Sequence, residues 1–144
     1  MRKRLAVVLM SLLAASASVA RDEVGSYSIA DALNHEDAKV ALAGNIKFFF
    51  GEQKPGKVIK NFGEFKTSKK TNAFNKSDLA ACQRAFISAM KTLKSRAETE
   101  GGNAVINIRS NYKNNLTSSD KAFRCGAGAI MAGVALVGTV ATVE

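Results

Sequence analysis

Apolar residues recur every three or four positions between Ser77 and Glu100, which is the spacing of one face of an amphipathic helix. Ser77 or Asn75 can cap this helix at its N-terminus, and Gly101 followed by Gly102 supplies a left-handed stop. We therefore predict one long helix over about 77–100 whose apolar stripe is buried in the core. The stripe consists of Leu79, Cys82, Phe86, Met90, Leu93 and Ala97.

The residues ahead of this helix show short strand-like and helical patterns separated by turn residues. We expect the last strand of this region to be the hairpin partner of the strand before it, across a turn at Gly51–Gly56, and to open into a lysine-rich loop. The predicted elements are a strand over Glu23–Ile29, helical segments over Ile29–Leu33 and Glu36–Leu42, strands over Asn45–Phe50 and Val58–Phe65, and a loop over Lys66–Asn75.

Strand patterns return after the helix. Asn103–Tyr112 alternates in the way of a strand, Lys113–Lys121 is polar and predicts a loop, and Ala122–Cys125 begins another strand. Strict alternation along the first of these strands would place Ala104, Ile106 and Ile108 on one face and Val105, Asn107 and Arg109 on the other.

The segment Cys125–Val143 contains no charged residue over nineteen positions, which nearly reaches the length of a membrane-spanning helix. Several glycines weaken a helix, and frequent valine and threonine favour strands. We therefore predict one or two buried strands, broken near Gly133 or Gly138. A glycine-rich membrane helix remains the alternative interpretation.

The first twenty residues have the order of an export signal: basic, then apolar, then small. Arg2, Lys3 and Arg4 precede the apolar run Leu5–Leu13, and the small residues that follow fit cleavage between Ala20 and Arg21. We expect residues 1–20 to be a cleaved signal peptide and residues 21–144 to be a single domain, delivered to the periplasm or secreted.

Two cysteines, Cys82 and Cys125, are the only ones in the chain, and an even pair in an oxidising compartment predicts a disulfide. Two separate buried thiols are the alternative. No metal site is expected, because the chain has no CxxC motif and its one histidine, His35, has no partner at ligand spacing. His35 lies in a polar stretch and is interpreted as a helix-start or turn residue.

The distribution of charge says more about function than any catalytic motif does. The chain carries a formal net charge of +9, and seven lysines occur close together against one acid, Glu64. Phenylalanines are interleaved with them, as in surfaces that bind nucleic acid, but the export signal makes nucleic acid an improbable partner. An anionic envelope component or an acidic protein surface fits better. The candidate anion-binding residues are Lys54, Lys57, Lys60, Lys66, Lys69, Lys70 and Lys76.

No catalytic constellation emerges from the sequence. The segment Gly51–Val58 approximates a phosphate-binding P-loop, but Val58 replaces the hydroxyl residue that binds magnesium, and no helix pattern follows. A single histidine offers one candidate base, and no GxSxG motif frames a serine. We predict no cofactor and no enzymatic activity.

Three stretches together resemble a known family: Lys69–Asp78, Gly101–Tyr112 and Cys125–Gly138. The resemblance is to small exported proteobacterial proteins of undetermined function, sometimes labelled excinuclease ATPase subunits. More distantly, the helix, the Gly-Asn-Ala-Val strand and the glycine-rich final strand resemble the YbjQ-like fold and the periplasmic domain of the stress lipoprotein RcsF. In RcsF a disulfide ties the main helix to a later strand, and Cys82 and Cys125 fall in comparable places.

These patterns predict an α+β fold: a small, twisted, mostly antiparallel sheet packed against one long helix and joined to it by one disulfide. The predicted function is a non-enzymatic exported binding or envelope-homeostasis protein that engages an anionic partner through its lysine-rich loop. One alternative is a membrane-associated protein anchored by residues 125–143. Another is an unrecognised hydrolase. The sequence predicts no oligomeric state.

Overall fold

Ten helices and strands follow one another in residues 23–144, the part of the chain that the computed structural model describes. The predicted signal peptide and its cleavage site between Ala20 and Arg21 lie outside the described residues. The elements are β1 (Glu23–Ser28), α1 (Ile29–Leu33), α2 (Glu36–Ala41), β2 (Lys47–Phe50), β3 (Val58–Asn72), α3 (Asp78–Glu100), β4 (Ala104–Tyr112), β5 (Asn115–Thr117), β6 (Ala122–Ala127) and β7 (Met131–Val143).

The sheet is organised around β7, the long strand near the end of the chain. β3 pairs with β7 along one side, while β4 and the end of β6 pair with the other side. β1 pairs with β6, and β5 pairs with β4. All of these pairings are antiparallel, and only β2 runs parallel to its neighbour, β4, among the described strands. The predicted α+β class with a mostly antiparallel sheet is therefore confirmed.

The helix α3 begins and ends where its capping residues predict. The Ser77 hydroxyl oxygen accepts a hydrogen bond from the Ala80 backbone N–H at 3.1 Å, and Gly101 has the left-handed conformation, with φ of 82°. The predicted stripe is buried from Cys82 to Ala97. Leu79 is the exception, with 51% of its surface exposed, because it lies in the first turn of the helix, one turn ahead of the buried Cys82.

A disulfide joins Cys82 of α3 to Cys125 of β6, as predicted, with the two Cα atoms 5.9 Å apart. Both cysteines are fully buried. Next to them Phe86 stacks on Phe123, with ring centroids 4.2 Å apart. The covalent bond and the aromatic pair fix the helix on the sheet at the same place.

The predicted alternation along β4 is wrong from Asn107 onwards. Asn107 has a positive φ of 51°, and the pairing register with β7 shifts between Ile106 and Arg109. This bulge inserts one extra residue into the strand and so exchanges its faces. As a result Val105 and Ile108 both belong to the core beneath α3, although strict alternation puts them on opposite faces.

The segment after Cys125 forms two strands, as predicted, but the break lies elsewhere. The chain turns at residues 128–130, and β7 then continues through both Gly133 and Gly138. Gly133 pairs with Gly126 of β6. The alternative of a membrane helix over this segment is wrong, because the segment is extended and hydrogen-bonded into the sheet. Within residues 23–144, no helix combines the length and apolar character needed to cross a bilayer.

Two predictions for the middle of the chain are also wrong, and both concern β3. The segment predicted as a loop over Lys66–Asn75 is strand as far as Asn72, and the partner of β3 is β7 rather than β2. The whole strand pairs with β7, from Val58 opposite Val143 to Asn72 opposite Met131. Lysines that looked like loop residues are compatible with this strand because their side chains are exposed.

Candidate functional site

The strand β3 is an open edge of the sheet. Its fifteen residues pair with β7 on one side, and no other described strand pairs with its outer side. Exposed edges present unpaired backbone groups, and lysine is a residue type that natural edge strands carry to discourage unwanted pairing. Lys66, Lys69 and Lys70 lie in the second half of this edge.

The two faces of β3 carry these lysines to opposite sides of the sheet. Phe65 packs against the core beneath α3, and Lys69, four positions later, lies on the same side. Lys70 lies on the other side, where its Cγ approaches Gly133 next to the Tyr112 ring. Lys66 lines grooves on both sides of the sheet.

A groove of about 720 Å³ runs between β3 and the exposed flank of α3. The helix contributes small hydroxyl residues at three- and four-residue spacing, interrupted by two cations. No aspartate or glutamate lines the groove among the described residues. The lining residues are Phe65, Lys66 and Lys69 of β3, and Ser88, Lys91, Thr92, Leu93, Ser95, Arg96 and Thr99 of α3.

Contacts inside the groove fix one of its cations and leave the others available. The Arg96 guanidinium lies over the Phe65 ring, 4.3 Å from its centroid, and its Nε is 3.3 Å from a Glu100 carboxylate oxygen. The ion pairs found within residues 23–144 do not include Lys66, Lys69 or Lys91. These three ammonium groups can therefore accept an external anion without breaking an internal pair.

The hydroxyl groups of the groove are partly committed to the helix backbone. Thr92 donates to the Ser88 carbonyl at 3.2 Å, and Thr99 donates to the Ser95 carbonyl at 3.0 Å. The lysine ammonium groups are therefore the main groups in the groove that can bind an anion.

Two smaller grooves, of about 370 and 400 Å³, lie on the opposite face of the sheet. Lys113, in the turn between β4 and β5, lines both of them, and its ammonium lies 5.6 Å from the centroid of the Tyr112 ring. No carboxylate lines either groove in the described part of the chain. We call the surface formed by all three grooves the cationic edge; its cations are Lys66, Lys69, Lys70, Lys91, Arg96 and Lys113.

The structure divides the seven candidate lysines of the sequence. Three belong to the cationic edge, whereas Lys54 and Lys57 lie in the connection between β2 and β3. Lys60 lies over the Phe62 ring, 4.8 Å from its centroid, and the Lys76 ammonium donates to the Asn72 carbonyl at 3.2 Å. The predicted lysine-rich loop is thus replaced by one short stretch of an edge strand.

Sequence reasoning missed the other three cations of this surface. Lys91 and Arg96 lie off the apolar stripe of α3, and that is a signal for an exposed flank. Which strand lies beside that flank depends on the tertiary packing. Lys113 gave no signal, because it looked like one polar loop residue among many.

The remaining candidate chemistry has structural roles. His35 is the N-cap of α2, where its Nδ1 accepts a hydrogen bond from the Asp37 backbone N–H at 3.2 Å. The P-loop-like segment leads from a turn into β3 rather than into a helix, so it lacks the helix N-terminus that holds phosphate. Among residues 23–144, no three His, Cys, Asp or Glu side chains come together as metal ligands would.

No family model, no curated protein and no solved structure matches the chain. The resemblance to the small exported family and to the YbjQ-like fold therefore stays a prediction from the sequence.

Proposed function

We propose that this protein is a non-enzymatic periplasmic binding protein that holds an anionic, phosphate-rich component of the cell envelope along its cationic edge. One observation carries the proposal: six cations line three adjoining grooves around an open strand edge, and no described carboxylate lines any of them. Like charges repel one another, so this arrangement favours the arrival of a negatively charged partner.

The spread of the cations favours an extended partner over a single small anion. Lys66 and Lys70 are about 13 Å apart along the strand, at about 3.3 Å per residue. Lys91 and Arg96 add a second row on α3. A polymer with repeated phosphates can contact several of these groups at once, and releasing its counterions makes such binding strongly dependent on salt.

The compartment in the proposal rests on two features. The first twenty residues read as an export signal, and a fully buried disulfide is typical of proteins that fold under oxidising conditions. A role in envelope homeostasis would follow from holding an envelope polymer at this surface.

The proposal is tested by charge reversal on the cationic edge, with long-chain polyphosphate as the probe. The variant Lys66→Glu/Lys69→Glu/Lys91→Glu is compared with Lys47→Glu/Lys54→Glu/Lys57→Glu, which changes net charge equally at exposed sites away from the edge. We expect the first variant to weaken binding on the order of tenfold or more at low salt, and the second to weaken it far less.

Two outcomes would contradict the proposal. Equal losses in the two variants would mean that polyphosphate responds to net charge alone. If the unchanged protein did not bind polyphosphate, or bound it equally well at low and high salt, the cationic edge would not be a polyanion-binding surface. Retention of the unchanged protein on isolated envelope fractions, compared with the edge variant, then tests the envelope as the source of the partner.

A further inference from the structure

One end of the molecule exposes four large apolar side chains that the core does not use. They lie in the connection between β3 and α3, in the first turn of α3, and in the turn that joins β6 to β7. The exposed fractions are 62% for Phe74, 51% for Leu79, 66% for Ile130 and 45% for Met131. We call these four residues the apolar tip.

Backbone pairing brings the two loops of the tip together. Asn72, the last residue of β3, pairs with Met131, the first residue of β7. The next residue, Ala73, donates its backbone N–H to the Ile130 carbonyl at 2.6 Å. Phe74 follows directly, so it emerges beside Ile130 and Met131.

Leu79 joins the same end through the disulfide. It lies one helical turn before Cys82, and Cys82 is bonded to Cys125, two residues before the end of β6. Leu93, further along the helix, lies beside Gly138, toward the far end of β7, so the first turn of α3 extends toward the β6–β7 turn. Three separate segments of chain therefore place exposed apolar side chains at this end of the molecule.

Positive charge surrounds this surface. Lys70 and Lys113 line one groove with Ile130 and Met131, and Lys76 lies between Phe74 and Leu79 in the chain. Tyr112 lines the same groove, and aromatic residues with a polar end are typical of membrane interfaces. Among the described residues, the acids Glu23 and Asp78 lie at this end, and Asp37 lines a groove with Lys76. The lysines at this end outnumber these three acids; they are Lys69, Lys70, Lys76 and Lys113.

The chain also enters the fold at this end. Glu23 of β1 pairs with Ala127 at the end of β6, immediately before the β6–β7 turn. The apolar run Leu5–Leu13 precedes it in sequence by ten residues. While an export signal is still attached, it would join the domain at this end.

We propose that the apolar tip docks on the surface of an anionic lipid bilayer, with its four apolar side chains entering the interface and the surrounding lysines meeting lipid phosphates. Exposed apolar residues rimmed by cations fit an anionic bilayer, which offers an apolar layer beneath negative charge. This goes beyond the proposed polyanion binding, because it adds an apolar contribution that a soluble polyanion lacks; the lysines Lys69, Lys70 and Lys113 are shared with the cationic edge.

The test is co-sedimentation with vesicles of phosphatidylcholine alone or mixed with phosphatidylglycerol. The protein is used as the expressing cell processes it, so every variant carries the same N-terminus. The variant Phe74→Ser/Ile130→Ser removes apolar side chains from the tip. Its control is Ile59→Ser/Val58→Ser, which replaces two exposed apolar residues at the opposite end of β3.

We expect the unchanged protein to bind the phosphatidylglycerol vesicles, and the tip variant to lose about tenfold or more of its partitioning, since each large apolar group contributes separately. The control variant should bind as the unchanged protein does. The tip variant should still bind soluble polyphosphate. A loss of vesicle binding alone therefore concerns the apolar tip, whereas a loss of polyphosphate binding concerns the cationic edge.

Three results would overturn the inference. The unchanged protein could fail to sediment with anionic vesicles, or the tip and control variants could lose binding equally. The third result has two parts: the unchanged protein forms a concentration-dependent dimer that the tip variant does not form, and the unchanged protein does not bind vesicles. That result would assign the tip to contact with a second copy of the chain. Thermal unfolding of each variant checks that the fold is retained; all four substituted residues have exposed side chains.

Discussion

At the scale of single residues, two glycines make room for the ring that covers the outer face of the sheet. Gly126 and Gly133 pair across β6 and β7, and Tyr112 lies over both. A methyl group on Gly126 would overlap the Tyr112 hydroxyl end, whereas one on Gly133 would meet its neighbours at ordinary contact distances of 3.5 Å or more. The same substitution therefore has different consequences at two adjacent positions.

We expect Gly126→Ala to destabilise the fold by about 1–2 kcal/mol, because Tyr112 must leave its place, and Gly133→Ala to cost much less. The measurement is urea unfolding of both variants, repeated in a Tyr112→Ala background. With the ring removed, Gly126→Ala should cost almost nothing further. A cost at Gly126 that persists without Tyr112 would contradict this account.

Residue-scale geometry also limited what the sequence could predict. The bulge at Asn107 rests on one positive φ, and asparagine adopts that conformation in only some of its settings. Nothing in the local sequence pattern separates a bulged strand from a regular one here. The exchange of faces in β4 follows from that single residue.

At the scale of elements, β3 combines two properties: its outer side has no described strand partner, and its exposed side chains include several cations. A lysine-rich edge resists pairing with other chains, so the same side chains that favour an anion protect the protein from aggregation. These two effects can be separated, because a negative side chain also resists edge pairing but repels an anion.

We expect Lys66→Thr/Lys69→Thr/Lys70→Thr to aggregate, because threonine favours strands and leaves residues 65–72 of the edge uncharged. The matched variant Lys66→Glu/Lys69→Glu/Lys70→Glu should keep the sedimentation coefficient of the unchanged protein while losing polyphosphate binding. Sedimentation velocity over a range of concentrations makes the comparison. A threonine variant as soluble as the glutamate variant would show that the lysines do not protect the edge.

The elements also differ in how far they could be predicted. The helix α3 carries its own signals, since its cap, stripe and glycine stop are local in sequence. The strand β3 is held by β7, which lies some seventy residues later, so its local composition of lysine, serine and threonine suggested a loop. Pairing over that distance is a tertiary effect that composition does not report.

At the scale of the whole molecule, one covalent bond connects the helix to the sheet. The Cys82–Cys125 disulfide closes a loop of 43 residues. Replacing both cysteines with alanine should lower the free energy of unfolding by about 2–5 kcal/mol, because the unfolded chain regains the freedom that the loop removed. Urea unfolding of this variant, beside the unchanged protein with and without reductant, measures the loss. Equal stability in all three would contradict a structural role for the bond.

Tertiary packing adds three cations to the candidate site that the sequence did not reveal. The sequence located Lys66, Lys69 and Lys70 within a positive tract, because they are neighbours in the chain. Lys91, Arg96 and Lys113 come from other elements and meet the edge only after α3 and the β4–β5 turn have packed beside β3. A surface made of several elements cannot be found from a local count of charge.

Binding of a polyanion at the cationic edge can be tested by mapping which residues the ligand contacts. Amide chemical shifts are followed while polyphosphate is titrated into the labelled protein. We expect the shifts to concentrate on residues 65–71 of β3, on residues 88–99 of α3, and on residues 111–114 at the end of β4 and in the turn after it. Shifts concentrated on residues 52–57, or spread evenly over every exposed lysine, would contradict binding at the cationic edge.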